Sequence, residues 1–211
     1  MTKFRNTKNC GFYSTSLRCA IFAVVLIFSG GVQADLFPIT EDDMPFLPVF
    51  CRAKLLQSKQ PDIQKHWAKT YGTENWMHLH HQCYGAKALN LAYRDFKDVA
   101  KRTYFAKLAS NEFNYVLNAT EPDFVLRREV LTQRGRALTL AKQYGEAEKN
   151  FSEALKIEPK SVDTWVALSD LYRQTDRIAD AIKTLEKAIE VTGGEHRKIT
   201  VRLDDLKKLQ H

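Results

Sequence analysis

Two of the four cysteines and four of the six histidines lie between residues 51 and 83, and both side-chain types bind metals. Cys83 ends the motif His-x-His-His-x-Cys, and Cys51 lies well before it in the chain. On a helix, His80 and Cys83 would share one face. With Cys51 and either His66 or His78 they would form a tetrahedral site, since zinc accepts imidazole and thiolate ligands together. The candidate metal-binding histidines are His66, His78, His80 and His81.

A disulfide bond between Cys51 and Cys83 is the alternative. The two interpretations nearly exclude each other, because a sulfur atom in a disulfide is not a thiolate ligand. Two free, buried thiols are a third interpretation. Irregular histidine spacing and an oxidising compartment, inferred below, favour the disulfide, which would stabilise the fold by about 3–4 kcal/mol. We therefore predict this disulfide, no cofactor, and histidines that pack on Trp67 and Trp76 or cap backbone groups.

The N-terminal segment, from Met1 to Ala34, predicts that the protein is exported. It contains four basic residues and no acidic ones, then an apolar run from Ala20 to Phe28 and the small-residue pattern Val32-Gln33-Ala34. This order is typical of a secretory signal peptide cleaved after Ala34, which would make the protein periplasmic or secreted. A retained membrane anchor is the alternative, but the run is shorter than the roughly 20 residues that span a bilayer.

Removal of the signal peptide changes both the charge and the cysteine count. The chain has 32 basic and 25 acidic residues, a net charge of +7, and four of the basic residues lie in the predicted signal. The segment from Asp35 to His211 therefore has a net charge of +3, which is too small to indicate nucleic acid as a partner. Cys10 and Cys19 would leave with the signal, so Cys51 and Cys83 would remain as a pair.

The elements that position these side chains are predicted to be mainly helical. Residues 35–50 contain three prolines and an acidic run, which predicts an extended linker. Residues 51–127 form a helical front piece that ends in two long helices, the second at residues 99–119. These two helices would form a degenerate hairpin, in which Phe113 takes the position that Ala147 has in the next hairpin.

One pattern of small and large residues occurs twice in residues 128–194, and a fixed offset of thirty-four positions relates the two copies. The equivalent pairs are Leu131 and Trp165, Gly135 and Ser169, Leu138 and Tyr172, Tyr144 and Ile178, Ala147 and Ala181, Phe151 and Leu185, and Ala154 and Ala188. Such a period indicates stacked helical hairpins, and the pattern resembles the tetratricopeptide repeat (TPR). Residues 195–211 carry an apolar stripe, which predicts a C-terminal capping helix.

The resemblance implies an all-α fold of antiparallel helical hairpins stacked as a short solenoid. It also implies an adaptor or scaffold for protein–protein interaction. The cysteine- and histidine-containing front piece resembles the N-terminal extension of some exported bacterial TPR proteins, so the expected partner is an envelope or secreted protein or peptide. A metal-binding or metal-sensing protein is the alternative. No catalytic motif occurs in a suitable context, so we predict that the protein is not an enzyme.

In TPR proteins the first helices of the hairpins line a concave groove that binds an extended peptide or a partner's helix. The equivalent side chains here would contact a partner, or else form an ordinary solvated helix face. The lysine and asparagine pattern with which chaperone-binding members hold a terminal carboxylate is missing at Thr132 and Arg136, which argues against that partner class. The groove candidates are Glu129, Thr132, Arg136, Thr139, Asp163, Val166, Asp170 and Arg173.

Overall fold

The computed structural model describes residues 38–194 and 196–209, so the predicted signal peptide lies outside the described residues. This part of the chain contains eight α-helices and no strands. They are α1 Pro61–Tyr71, α2 Thr73–Arg94, α3 Val99–Ala119, α4 Arg127–Leu140, α5 Tyr144–Ile157, α6 Val162–Gln174, α7 Ile178–Thr192 and α8 Arg197–Lys208. None of these described helices is both long enough and apolar enough to cross a bilayer.

Consecutive helices pack as hairpins, α2 with α3, α4 with α5 and α6 with α7, and α8 packs on α7. The core lies within and between these hairpins, because each helix has one apolar stripe that a neighbour must cover. α8 buries Ile199, Leu203 and Leu206 against α7, as a capping helix should. The all-α solenoid that the sequence predicts is therefore confirmed.

The turns inside the two repeats have the same backbone geometry. Lys142 and Asp176 occupy equivalent positions in the two copies, and their φ angles are 61° and 60°, in the left-handed region. In the first turn the amide of Gln143 donates to the carbonyl oxygen of Leu138 at 2.8 Å, and the equivalent bond in the second turn is 2.9 Å long. Such bonds satisfy carbonyl groups at helix ends. The turns thus repeat with the same period as the sequence pattern.

A glycine lets the two helices of a hairpin cross closely. A methyl group on Gly135 would lie 2.5 Å from Cε1 of the buried Phe151 ring, so no larger residue fits there without displacing the ring. The front hairpin has the same arrangement, since a methyl group on Gly85 would lie 2.8 Å from Cε1 of Phe113. α2 and α3 are therefore built on the same helix crossing as α4 and α5.

The front hairpin is longer than the repeats, and this changes the position of Phe113. Phe113 follows Gly85 by twenty-eight positions, whereas Phe151 follows Gly135 by only sixteen. α2 and α3 contain 22 and 21 residues, against 14 in each of α4 and α5. The prediction that Phe113 takes the position of Ala147 is therefore wrong. Phe113 corresponds to Phe151, because each ring lies against the glycine of its own helix crossing. The twelve additional positions of the front hairpin shift Phe113 out of the thirty-four-residue period.

The expected extended linker is partly helical. It contains a 3₁₀ helix at Glu41–Phe46, whose first turn is closed by the Asp43 carboxylate, which accepts from a backbone amide at 2.8 Å. Lys87 of α2 donates to the same carboxylate at 2.8 Å, and Asn90 donates to the carbonyl oxygen of Phe46 at 2.9 Å. We call residues 39–51 the strap, since they lie folded against α2.

Candidate partner-binding groove

Cys51 and Cys83 form a disulfide bond that joins the strap to α2. Both cysteines are fully buried. Phe50 packs edge-on against Trp67 and Trp76, with ring centroids 6.2 Å apart in each case. The predicted disulfide is therefore confirmed, and it fixes the strap beside the front helices.

The histidines do not converge on a shared site. His66 lies on α1, where its ring packs against Trp67 at 5.5 Å, whereas the other three lie on α2. Among residues 38–194 and 196–209, no three His, Cys, Asp or Glu side chains are arranged to hold a metal ion. The two sulfur atoms are also joined to each other. The described residues thus give the metal-binding alternative no ligand set at His66, His78, His80 and His81.

The α2 histidines instead bind neighbouring groups. Nδ1 of His81 lies 2.6 Å from Oε2 of Glu112 on α3, and its ring lies 3.7 Å from the Tyr115 ring. Nδ1 of His80 lies 2.9 Å from the carbonyl oxygen of Met77, and its ring centroid is 4.2 Å from that of His81. The His81 contacts join α2 to α3, whereas the His80 contacts lie within α2. Both agree with a structural role.

We expect His80 to make the protein less stable in mild acid. Burial lowers the pKa of His80 below its ordinary 6.5; His81 and Lys54 lower it further, while the Met77 carbonyl and Glu112 oppose the shift. His80 therefore stays neutral in the folded protein at a pH where the unfolded chain already binds a proton. Well above pH 6.5 His80 is neutral in both the folded and the unfolded chain, so it does not lower the free energy of unfolding there. As the pH falls from there through the folded-state pKa, the free energy of unfolding decreases.

Urea unfolding at about pH 7.5 and about pH 5 measures this loss. His80→Gln keeps a polar side chain of similar length without a titratable group, so it should lose less stability than the wild type between the two values. His66→Gln is the matched control on α1 and should behave as the wild type. Equal losses in wild type and His80→Gln would show that other groups cause the acid sensitivity.

A concave groove of about 580 Å³ runs across the first helices of the hairpins. α2, α4 and α6 form its floor, the strap lies on one side, and α8 contributes to the other. The hairpin stacking explains this shape, because all first helices fall on the same side of a solenoid. Side chains that line the groove include Phe46, Tyr93, Gln133, Arg136, Asp170 and Arg202.

Four of the eight predicted contact residues lie together in this groove. They are Glu129 and Arg136 on α4, and Val166 and Asp170 on α6. Arg173 lies one turn further along α6, with Nε 3.9 Å from Oδ1 of Asp170. All except Val166 are partly or fully accessible, so their charged groups can reach a bound chain. Their contact with a partner stays a prediction.

The structure places the other three candidates differently. The hydroxyl groups of Thr132 and Thr164 are 2.8 Å apart in the packed space between α4 and α6, and both residues are buried. Thr139 is also buried and donates to the carbonyl oxygen of Gly135 at 2.8 Å. Asp163 is exposed and accepts from Lys198 of α8 at 2.7 Å. The two predicted threonines therefore lie in packed helix contacts instead of facing open space.

Sequence reasoning missed eight of the twelve lining residues, among them Gln133, Tyr93, Phe46 and Arg202. Gln133 follows Glu129 by one helical turn, so helix spacing on α4 was sufficient to find it. Tyr93 lies on the front hairpin, whose register the repeat period did not reveal. Phe46 and Arg202 come from the strap and from α8, and no signal in the repeats points to elements outside them.

The groove has polar, charged and aromatic parts. Asp170 is the shared partner of two arginines, with 3.4 Å to Nε of Arg202 and 3.9 Å to Nε of Arg173. Burial raises the pKa of Tyr93; Arg136 opposes this shift and Asp170 adds to it. Arg136 also lines the groove, so three arginines face two acidic residues, Glu129 and Asp170. The arginines can bind carboxylates or carbonyl oxygens. Tyr93 adds an aromatic contact beside them.

Residues 138–197 match the family model for the tetratricopeptide repeat. The matched segment begins in α4, includes all of α5, α6 and α7, and ends at the first residue of α8. A comparison with curated proteins finds no match. The paired helices, the equivalent turns at Lys142 and Asp176 and the glycine crossing agree with the family match. The protein therefore contains a tetratricopeptide-repeat segment.

Proposed function

We propose that the protein is an exported adaptor of the bacterial cell envelope, which holds another protein or peptide in its groove. TPR units are protein–protein interaction scaffolds, and the family is generally non-catalytic. The observation that carries the choice of surface is the groove itself, where side chains from α2, α4, α6 and α8 face one space of about 580 Å³. This arrangement favours an extended segment or a helix of the partner.

The side chains indicate how such a segment would bind. Arg136, Arg173 and Arg202 offer donors for carboxylates and backbone carbonyl groups, and Gln133 can both donate and accept. Phe46 is 74% exposed and Tyr93 is 48% exposed, so each has ring surface that a partner's apolar side chain would cover. The partner segment is thus expected to combine acidic residues with an apolar anchor.

Charge reversal in the groove tests this proposal. Arg136→Glu with Arg173→Glu should reduce co-purification of the partner from envelope extract by about tenfold or more, since both changes put like charges against its carboxylates. The matched control is Lys156→Glu with Lys183→Glu, which makes the same charge change on the second helices α5 and α7. If the groove variant keeps its partner while the control loses it, the binding surface lies on the second helices.

Export is supported by the order of residues from Met1 to Ala34 and by the buried disulfide, a bond that persists in oxidising compartments. We expect the protein recovered from the periplasm to begin at Asp35, as measured by intact mass. Ala34→Tyr places a bulky residue where cleavage needs a small one, so it should keep the predicted signal attached. Full-length protein in the cytoplasm with free thiols at Cys51 and Cys83 would contradict the export proposal.

A further inference from the structure

The front hairpin extends beyond the repeats at its turn end. α2 continues for nine residues after Gly85, whereas α4 continues for five after Gly135. α3 begins fourteen residues before Phe113, whereas α5 begins seven before Phe151. At about 1.5 Å per residue, the extra four and seven residues extend the hairpin by about 6–10 Å. We call residues 91–107 the overhang.

The overhang exposes large apolar side chains. Phe96 is 61% exposed, and Val99 and Tyr104 are each 54% exposed. Arg102 holds the turn in place, because its Nη1 donates to the carbonyl oxygen of Phe96 at 3.0 Å and its guanidinium lies 5.0 Å from the centre of that ring. The turn therefore presents an ordered apolar tip, and exposed apolar tips of this kind are typical of binding surfaces.

The overhang also carries a positive charge as large as the net charge of the segment from Asp35 to His211. It contains five basic and two acidic residues, a net charge of +3, which equals the net charge of the whole segment from Asp35 to His211. The remainder of that segment is thus electrically balanced. Both acidic residues have basic neighbours within the overhang. The basic residues are Arg94, Lys97, Lys101, Arg102 and Lys107.

We propose that the overhang binds the surface of a membrane that contains anionic phospholipids. Phe96 and Val99 would enter the headgroup region, while Lys97 and Lys101 contact lipid phosphates. Apolar side chains flanked by lysines are typical of segments that lie at the membrane interface. A protein partner is less well matched, because lysine is depleted in protein–protein interfaces. Tyr93, near the base of the overhang, lines the groove, whereas Phe96, Lys97, Val99 and Lys101 do not. The four substitutions below therefore leave the groove-lining residues unchanged.

Vesicle flotation tests the proposal. Residues Ile39–His211 form one compact unit, so the chain from Asp35 to His211 is used, which removes the apolar N-terminal segment as a second lipid-binding element. The wild type should float with vesicles of phosphatidylcholine and phosphatidylglycerol and remain unbound with phosphatidylcholine alone. Lys97→Glu with Lys101→Glu should reduce binding by about tenfold or more. Phe96→Ser with Val99→Ser should also reduce it without any change in charge.

The control is Lys183→Glu with Lys187→Glu, two exposed lysines with the same spacing on α7, and it should bind vesicles as the wild type does. Circular dichroism is used to check that each variant is folded. Wild-type protein that ignores anionic vesicles, or overhang variants that bind them unchanged, would overturn the proposal. Loss of a co-purifying protein in the overhang variants, with vesicle binding intact, would assign the overhang to a protein partner instead.

Discussion

Phe113→Ala should destabilise the protein by about 3–5 kcal/mol, as much as Phe151→Ala. Both rings are fully buried, and each fills the space beside a glycine at a helix crossing. Loss of either ring removes apolar contacts and leaves a cavity that a rigid crossing cannot close. Urea unfolding followed by circular dichroism measures the loss. If Phe113→Ala costs much less than Phe151→Ala, the front hairpin is not built as the repeats are.

A double-mutant cycle tests the crossing more closely. Gly85→Ala alone should be destabilising, because the added methyl group would lie 2.8 Å from Cε1 of Phe113. In a Phe113→Leu background the ring is gone, so the same glycine change should cost less. The coupling free energy should be about 1 kcal/mol or more. Gly145→Ala is the control, since a methyl group there meets nothing within 4 Å. Simple additivity would argue against the contact.

Removal of the disulfide should also cause a large loss in the free energy of unfolding. Cys51 and Cys83 are separated by 32 positions in the sequence, so their bond restricts the unfolded chain over a loop of that size. The chain-entropy relation gives about 3–4 kcal/mol for such a loop. The variant Cys51→Ser with Cys83→Ser should therefore unfold at a lower urea concentration than the wild type. Its free energy of unfolding should be lower by about 3–4 kcal/mol. Hydrogen exchange should show the largest gain in opening at the strap, which this bond holds to α2.

Reduced wild type is the natural comparison for that variant, because it loses the bond without any change in side-chain shape other than the added hydrogen atoms. Both should lose a similar free energy of unfolding. A variant with two serines also buries two hydroxyl groups, so it should be the less stable of the pair. If the reduced wild type is as stable as the oxidised wild type, the bond contributes little beyond the packing around Phe50.

The sequence was sufficient for the repeats, because two copies of one pattern define their own register. Positions such as Gly135 and Ala147 are small for a packing reason that a comparison of the two copies reveals directly. The front hairpin has no second copy of equal length. Its twelve additional positions shift Phe113 out of the period, so only the structure shows that this ring faces Gly85.

The groove was predicted only where it is lined by the repeats, whose register the sequence reveals. Glu129, Arg136 and Asp170 follow from helix periodicity within the repeats. Thr132 and Thr139 share that periodicity, but short side chains near a helix crossing are covered by the next helix. The contributions of the strap and of α8 depend on how distant segments pack, which residue spacing does not encode.

The cysteines and histidines show how the chemistry of a sequence depends on its fold. His80 and Cys83 do lie on one helix, as predicted, yet the partner of Cys83 is the sulfur of Cys51. His81 is held by Glu112, a residue from α3 that local spacing does not connect to it. The disulfide was predictable from the inferred compartment, whereas the histidine contacts required the positions of two helices.

Site-specific photo-crosslinking tests the central claim most directly, because it reports which face of the solenoid touches the partner. A photoreactive phenylalanine analogue at Tyr93 or Gln133 lies in the groove, and the same group at Lys183 lies on the second helix of a hairpin. We predict that the groove positions form crosslinks to a protein of the cell envelope and that Lys183 does not. Crosslinks from Lys183 alone would contradict the account.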